Sequence, residues 1–257
     1  MAMAIHSLQR FFTHVLTHGM AGKSVAVIIV AVLELPCFMA SASAQEYHCD
    51  VNDDGTVTVL DATIIINHVL GKHHHAEAID LGLPSGIKWA NCNVGATRPE
   101  QMGEYFAWGE TNAKSEYTLA TYVLCNGSFD SCFDFGSRTI SGTQFDVAHT
   151  RWGGTWRIPT NEEVKELREN CTFRWITYRG VTGAKFIGPN GKSIFLPAAG
   201  YSYGSNVGVK GENGFYWTAT QYGAYPYMGY SFDFASDYVT WGDYYRSLGF
   251  TIRPVCE

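Results

Sequence analysis

The spacing of apolar and polar positions changes along the chain, and each change predicts a different kind of element. From Ser24 to Ala40 the run "SVAVIIVAVLELPCFMA" is almost wholly apolar. "ATIIINHVLG", Ala62 to Gly71, is a short apolar block ending at glycine, which predicts a short helix with Gly71 as its C-terminal stop. Beyond residue 79 the pattern is mostly period two, in short pieces broken by glycine. "GIKWANCNV" and "YFAWGET" predict strands, and "KFIGPNGKSIFL" predicts a hairpin about Pro189 to Gly191. "GFYWTAT", "YSFDFA" and "GFTIRPV" predict further strands, and in "YSFDFA" the alternation of Tyr230, Phe232 and Phe234 marks a core-facing side. One helix is clear: in "IPTNEEVKELRENC", Thr160 and Glu163 form a capping box, and Val164, Leu167 and Cys171 share a face. Few helices on a largely antiparallel sheet define an α+β class.

The leading apolar run follows Lys23, contains Glu34 and Pro36, and is followed by the small residues "SASA". Those features predict an export signal over residues 1–44, cleaved after Ala44, and no membrane span afterwards. The expected location is outside the cell, secreted or at its surface. The net charge of -6 and the lack of a Lys/Arg run argue against nucleic acid as a partner. Removal of the leader leaves Cys49, Cys92, Cys125, Cys132, Cys171 and Cys256, an even count that favours disulfides in an exported chain. "CNGSFDSC", Cys125 to Cys132, has the short polar loop of a local bridge. No spacing of Cys and His supports structural zinc, and His73 to His75 fit an exposed linker.

"DVNDDGTVTVLD", Asp50 to Asp61, carries calcium chemistry. A hard cation wants six to eight oxygens, and Asp50, Asn52 and Asp54 supply three at alternate positions before the turn at Gly55. Thr56 offers a backbone carbonyl, Thr58 acts directly or through water, and Asp61 closes the loop. The predicted cofactor is calcium. The loop with its exiting helix resembles half of a type I dockerin, a module that docks onto cohesin domains. A dockerin carries two such repeats, and no second D-x-N-x-D-G occurs downstream.

"DLGLPSGIKWANCNVGA", "GEYFAWGET", "WGGTWRIPTNEEVKEL", "SIFLPAAGY", "GFYWTAT" and "GFTIRPV" resemble the Fibrobacter-type major paralogous domain. The resemblance implies a C-type lectin-like fold with its first and last strands together, and secreted or surface proteins with adhesive or glycan-related roles. The place of Cys92 and Cys171 in the matching motifs implies a second disulfide between them. The expected organisation is signal peptide 1–44, calcium unit 45–72, linker 73–78 and lectin-like domain 79–257.

Catalysis needs a constellation, and none is identified. Asp146 with His149 fits packing beside Trp152 and Trp156 better than an acid/base pair. Asp233, Asp237 and Asp243 lie in one region, where a hydrolase pair depends on their separation. Aromatic residues are more telling: residues 201–250 hold ten of the 15 tyrosines. Tyr222, Tyr225, Tyr227, Tyr244 and Tyr245 stand among Gly, Pro and Asp, where chains turn at the surface. Their rigid faces and hydroxyls suit protein partners and sugar rings alike. The expected function is an exported binding or adhesion module that recognises a glycan or protein through these tyrosines, with the calcium unit serving attachment or spacing. The alternative is a component of a polysaccharide-degrading, cellulosome-like assembly, or a carbohydrate-active hydrolase.

Overall fold

The computed structural model describes residues 76–136 and 139–257. The chain divides into two compact units, residues 1–73 and 74–257, and the described residues belong to the second. The expected leader, the expected calcium loop from Asp50 to Asp61, the helix expected after it and the expected His73 to His75 linker lie outside the described residues.

Among the described residues eleven strands and two short α-helices follow one another. Strands β1 (Ala78–Asp80) and β2 (Lys88–Ala90) come first, followed by α1 (Val147–Trp152) and α2 (Asn161–Asn170). Then come β3 (Thr172–Tyr178), β4 (Val181–Ile187), β5 (Ser193–Pro197), β6 (Tyr201–Tyr203) and β7 (Asn206–Gly208). Strands β8 (Gly214–Gln221), β9 (Met228–Phe234), β10 (Val239–Tyr245) and β11 (Val255–Cys256) complete the order. The named strand pairs are all antiparallel and form sheets β1-β2-β11, β3-β4-β5, β10-β9-β8 and β6-β7. Strand β2 therefore joins the beginning of the unit to its end.

Helix α2 forms where the sequence expects it. The Thr160 side chain accepts from the Glu163 backbone N–H, the Glu163 carboxylate accepts from the Thr160 N–H, and Arg157 pairs with that carboxylate at 2.5 Å. Val164 and Leu167 are buried, while Cys171 caps the helix and packs partly buried against the same cluster. The hairpin between β4 and β5 also lies where expected, with Ile187 opposite Ser193. The β3–β4 turn uses Arg179 and Gly180, both at positive φ, the combination that a two-residue turn matched to strand twist requires.

The sheet β10-β9-β8 sits between two cores because its side chains alternate. Tyr216, Phe232 and Phe234 on one face join Leu81, Trp89, Leu167, Phe186 and Leu196. Phe215 and Trp217 on the other join Phe106, Trp108, Val147, Ile158 and Phe250. Burial on both faces explains why β8 is buried at nearly every position. Each large side chain so buried contributes about 1.5–3 kcal/mol.

Three expectations need correction. "YFAWGET" is not a strand; it makes only a single bridge, Phe106 to Phe250, between glycines at positive φ, Gly103 and Gly109. "GFTIRPV" enters a strand only at its last residue, Val255, where the missing N–H of Pro254 ends the ladder; Gly249, Phe250 and Thr251 make single bridges to Ser202, Phe106 and Tyr216. Cys92 and Cys171 are free thiols. The Cys92 thiol is buried and donates to the Ala96 carbonyl at 3.4 Å, whereas Cys171 is fixed at the end of α2. Cys125 and Cys132 do form a disulfide.

Candidate functional site: an aromatic ladder on two loops and a strand

The disulfide closes a loop that turns through Asn126 and Gly127, both at positive φ, and enters a 3-10 turn, Phe129–Ser131, capped by Ser128. Ser131 ties the loop by donating its hydroxyl to the carbonyls of Cys125 and Ser128. Cys125 is buried with Ala107, Tyr117 and Tyr122. Phe129 is thereby held at the tip, 36% exposed.

A second loop, Tyr222 to Tyr227, precedes β9. Tyr222 N–H donates to the Met228 carbonyl and Met228 N–H to the Tyr225 carbonyl, both at 3.1 Å, so the loop folds back on itself. The third contributor is the end of β10, which carries Tyr245.

These three pieces, together with Tyr230 of β9, bring their rings into one continuous row. Tyr230 meets Tyr222 edge-on at 5.2 Å, and Tyr222 stacks on Tyr225 at 6.1 Å. Tyr225 stacks on Tyr227 at 5.3 Å with planes 19° apart, and Tyr227 lies 6.0 Å from Tyr245. Phe129 closes the row, 5.0 Å from Tyr227 and 4.9 Å from Tyr245. Tyr225 and Tyr245 are 49% and 47% exposed. Offset parallel and edge-on rings are the arrangements aromatic quadrupoles favour, so the row holds its own shape.

Four of the five expected tyrosines are therefore together: Tyr222, Tyr225, Tyr227 and Tyr245. Tyr244 is not. Both Tyr244 and Tyr245 lie in β10 rather than in a loop, because all seven β10 residues pair with β9. Side chains alternate along a strand, so Tyr244 points to the opposite face. There it packs on Phe215 and Phe250 and donates its hydroxyl to Asp233 at 3.0 Å. Phe129 and Tyr230 complete the row although turn composition did not select them. The Cys125 to Cys132 spacing was the available signal for Phe129. Tyr230 does share a face with Phe232 and Phe234, but only the latter two reach the core.

Arg246, which nothing in the local sequence marks, fixes the ladder from beneath. Its Nε donates to the Tyr122 hydroxyl at 2.8 Å, and its Nη1 donates to the carbonyls of Phe133, at 2.9 Å, and Pro226. Its backbone N–H donates to the Tyr227 carbonyl. The guanidinium, fully buried, lies 4.7 Å from the Trp108 ring centre and 5.1 Å from that of Phe135. One side chain thus joins the chain on either side of the disulfide loop, the tyrosine loop and the end of β10.

The carboxylates considered for acid/base work have other surroundings. Asp146 caps α1, accepting from the N–H groups of Ala148, His149, Gly142 and Ile158; its contact with His149 is to the backbone. Burial pushes its carboxyl up, against those four bonds. Asp233 is buried, accepts from Ser231 at 2.6 Å and from Tyr244, and has its pKa pushed up to about 6 by burial. Asp243 pairs with Tyr230 and Thr240 with Asp233, which sets Asp243 and Asp233 on opposite faces of the sheet. Asp237 is exposed in the turn between β9 and β10. Among the described residues no group of three His, Cys, Asp or Glu side chains is gathered to hold a metal, and no helix is long and apolar enough to cross a membrane.

Two stretches of the chain match known families. Residues 48–83 match the Dockerin type I domain, and residues 176–255 match a Domain of unknown function (DUF8237). The first match contains the Asp50 to Asp61 loop and runs on through β1 to Leu81 and Leu83, which are core residues of the second unit. The second begins within β3 and contains the tyrosine loop and β10, but not the disulfide loop. No curated protein and no solved structure matches the chain.

Proposed function

We propose that the chain is an exported, calcium-binding recognition module, without catalytic activity, whose lectin-like domain binds its ligand on the aromatic ladder. The ladder carries this reading. Six aromatic side chains from two loops and two strands meet at the surface, closed at one end by a disulfide and held from below by a buried arginine. A core does not need such a row outside it, whereas binding hot spots draw on tyrosine for contact area at small entropic cost. The meeting of first and last strands around β2 supports the lectin-like assignment. Asp233 and Asp243 face opposite sides of the sheet, so these two carboxylates do not form a pair on one ligand.

The calcium reading rests on the donor set of Asp50, Asn52, Asp54, Thr56, Thr58 and Asp61 and on the Dockerin type I match. That match favours a second, compatible reading, in which the calcium unit docks the chain into an extracellular, cellulosome-like assembly while the ladder engages the target. A glycan and protein array probed with the secreted, calcium-loaded chain tests the first reading. Binding is expected to fall with Tyr225→Ala and Tyr227→Ala while the melting temperature holds. Array binding that is indifferent to both changes overturns it.

A further inference from the structure

Strand β10 is the outer strand of its sheet, and among the described residues no other strand pairs with its free edge. Its hydrogen-bond phase follows from its two ends. Ala235 N–H donates to the Tyr238 carbonyl across a two-residue turn, and Arg246 N–H donates to the Tyr227 carbonyl. Even-numbered residues of β10 therefore bond to β9, and Val239, Trp241, Asp243 and Tyr245 direct their N–H groups outward. The Tyr245 carbonyl is already taken by Leu248 N–H, which agrees with this phase. An unpaired run of this length is a template for another extended chain.

The edge carries one ladder ring, Tyr245, and on the same face a further aromatic, Trp241. Trp241 and Tyr245 are 38% and 47% exposed and share a face with Asp243 and its partner Tyr230. The charge around them is acidic. Asp243 stands between Trp241 and Tyr245 on that face, opposite Tyr230, and Asp130 follows Phe129, whose ring stacks on Tyr245, in the 3-10 turn. The chain's own cation there, Arg168, sits 4.8 Å over the Trp241 ring, so this face already accommodates a guanidinium on an aromatic surface. A second copy of the chain would bring the same carboxylates together and is disfavoured. A sugar ring stacked on the ladder would leave the outward amides of β10 unpaired, whereas an extended chain pairs with them.

We infer that the ligand is an extended, lysine- or arginine-bearing polypeptide segment that adds as a strand to the free edge of β10 and lays its cationic side chains along the ladder. Backbone bonds to Val239, Trp241, Asp243 and Tyr245 supply register, and the acidic rim supplies sign preference. This rests on the ladder being the recognition surface, and it names the partner's chemistry.

The test uses three fluorescent octapeptides on the full chain: alternating Lys-Thr, alternating Glu-Thr, and Lys-Thr N-methylated at alternate residues. Only unmodified Lys-Thr is expected to raise anisotropy, and it should slow hydrogen exchange at the four outward amides. Charge removal in Asp130→Asn with Asp243→Asn should weaken it about tenfold or more. Equal binding of the Glu-Thr peptide, or Lys-Thr binding without protection of those amides, overturns strand addition. An array ligand that requires Tyr225 but is a glycan overturns the polypeptide partner and leaves the ladder standing. If Tyr225→Ala and Tyr227→Ala change neither peptide nor array binding, the ladder itself is misassigned.

Discussion

Phe129 stacks on Tyr245 with ring centres 4.9 Å apart and planes 23° from parallel, and Phe129 lies within the loop that the Cys125–Cys132 disulfide closes. Closing the Cys125 to Cys132 loop limits where Phe129 can go. Cys132→Ser is therefore expected to destabilise the domain by about 2–3 kcal/mol in denaturant titration, as loss of so short a closed loop implies. Phe129→Ala, which removes only the stack, should cost about 0.5–1.5 kcal/mol beyond lost burial. Equal behaviour of the two variants would separate the loop from the ladder.

Arg246 should be among the least replaceable side chains. Arg246→Ala leaves carbonyls of Phe133 and Pro226 and the Tyr122 hydroxyl without their donor, a loss on the order of 3–5 kcal/mol. Arg246→Lys should recover little, because an ammonium cannot spread donors in the planar fork that also lies against Trp108. Thermal unfolding of both variants checks this, and a lysine variant as stable as the parent contradicts it.

Asp233 sets a pH dependence whose sign is fixed. Burial raises its pKa from the ordinary 3.8 to about 6, so the folded state holds its proton more tightly than the unfolded chain. That contribution is present in full below about pH 4 and is lost as pH rises through about 6, an effect of up to about 3 kcal/mol. Asp233→Asn should flatten the stability profile between pH 4 and 7 relative to the parent. Asp146 is pushed the same way but is common to both proteins, so the difference isolates Asp233.

Calorimetry should find one calcium site, lost or strongly weakened in Asp54→Ala, since Asp54 supplies one of three carboxylates in the loop's donor set. Unchanged affinity would refute that donor set.

The thiols of Cys92 and Cys171 should react slowly with iodoacetamide at pH 8 in the folded domain. Burial raises both to about 11, leaving little thiolate. Non-reducing mass spectrometry should find the Cys125–Cys132 bridge with Cys92 and Cys171 unpaired.

Local signals made part of this domain legible. The capping box at Thr160 and Glu163, the β4–β5 hairpin, the even spacing of β8 and β9 residues and the short cysteine loop all act over a few residues, where the sequence itself holds both partners. The donor set proposed for calcium, Asp50 to Asp61, is a local pattern too, within twelve consecutive positions, but it lies outside the described residues. Turn composition also drew attention to four tyrosines that the fold brings together, Tyr222, Tyr225, Tyr227 and Tyr245, because Gly, Pro and Asp around them weaken competing structure.

Long-range pairing decided the rest. "WGDYYRS" carries Gly and Asp and suggests a loop, yet seven cross-strand pairs with β9 make it a strand and send Tyr244 inward while Tyr245 faces out. Two adjacent tyrosines of identical chemistry thus acquire opposite roles from a register that neither specifies. Phe129 joins the ladder because a disulfide loop and a distant strand end happen to meet, and Arg246 supports it because carbonyls from two other segments converge on one guanidinium. The sequence determined which residues were available at turns, caps and the cysteine loop, through interactions between near neighbours. Only the tertiary structure determined which of them share a face, because that depends on strand register and on contacts between segments far apart in the chain.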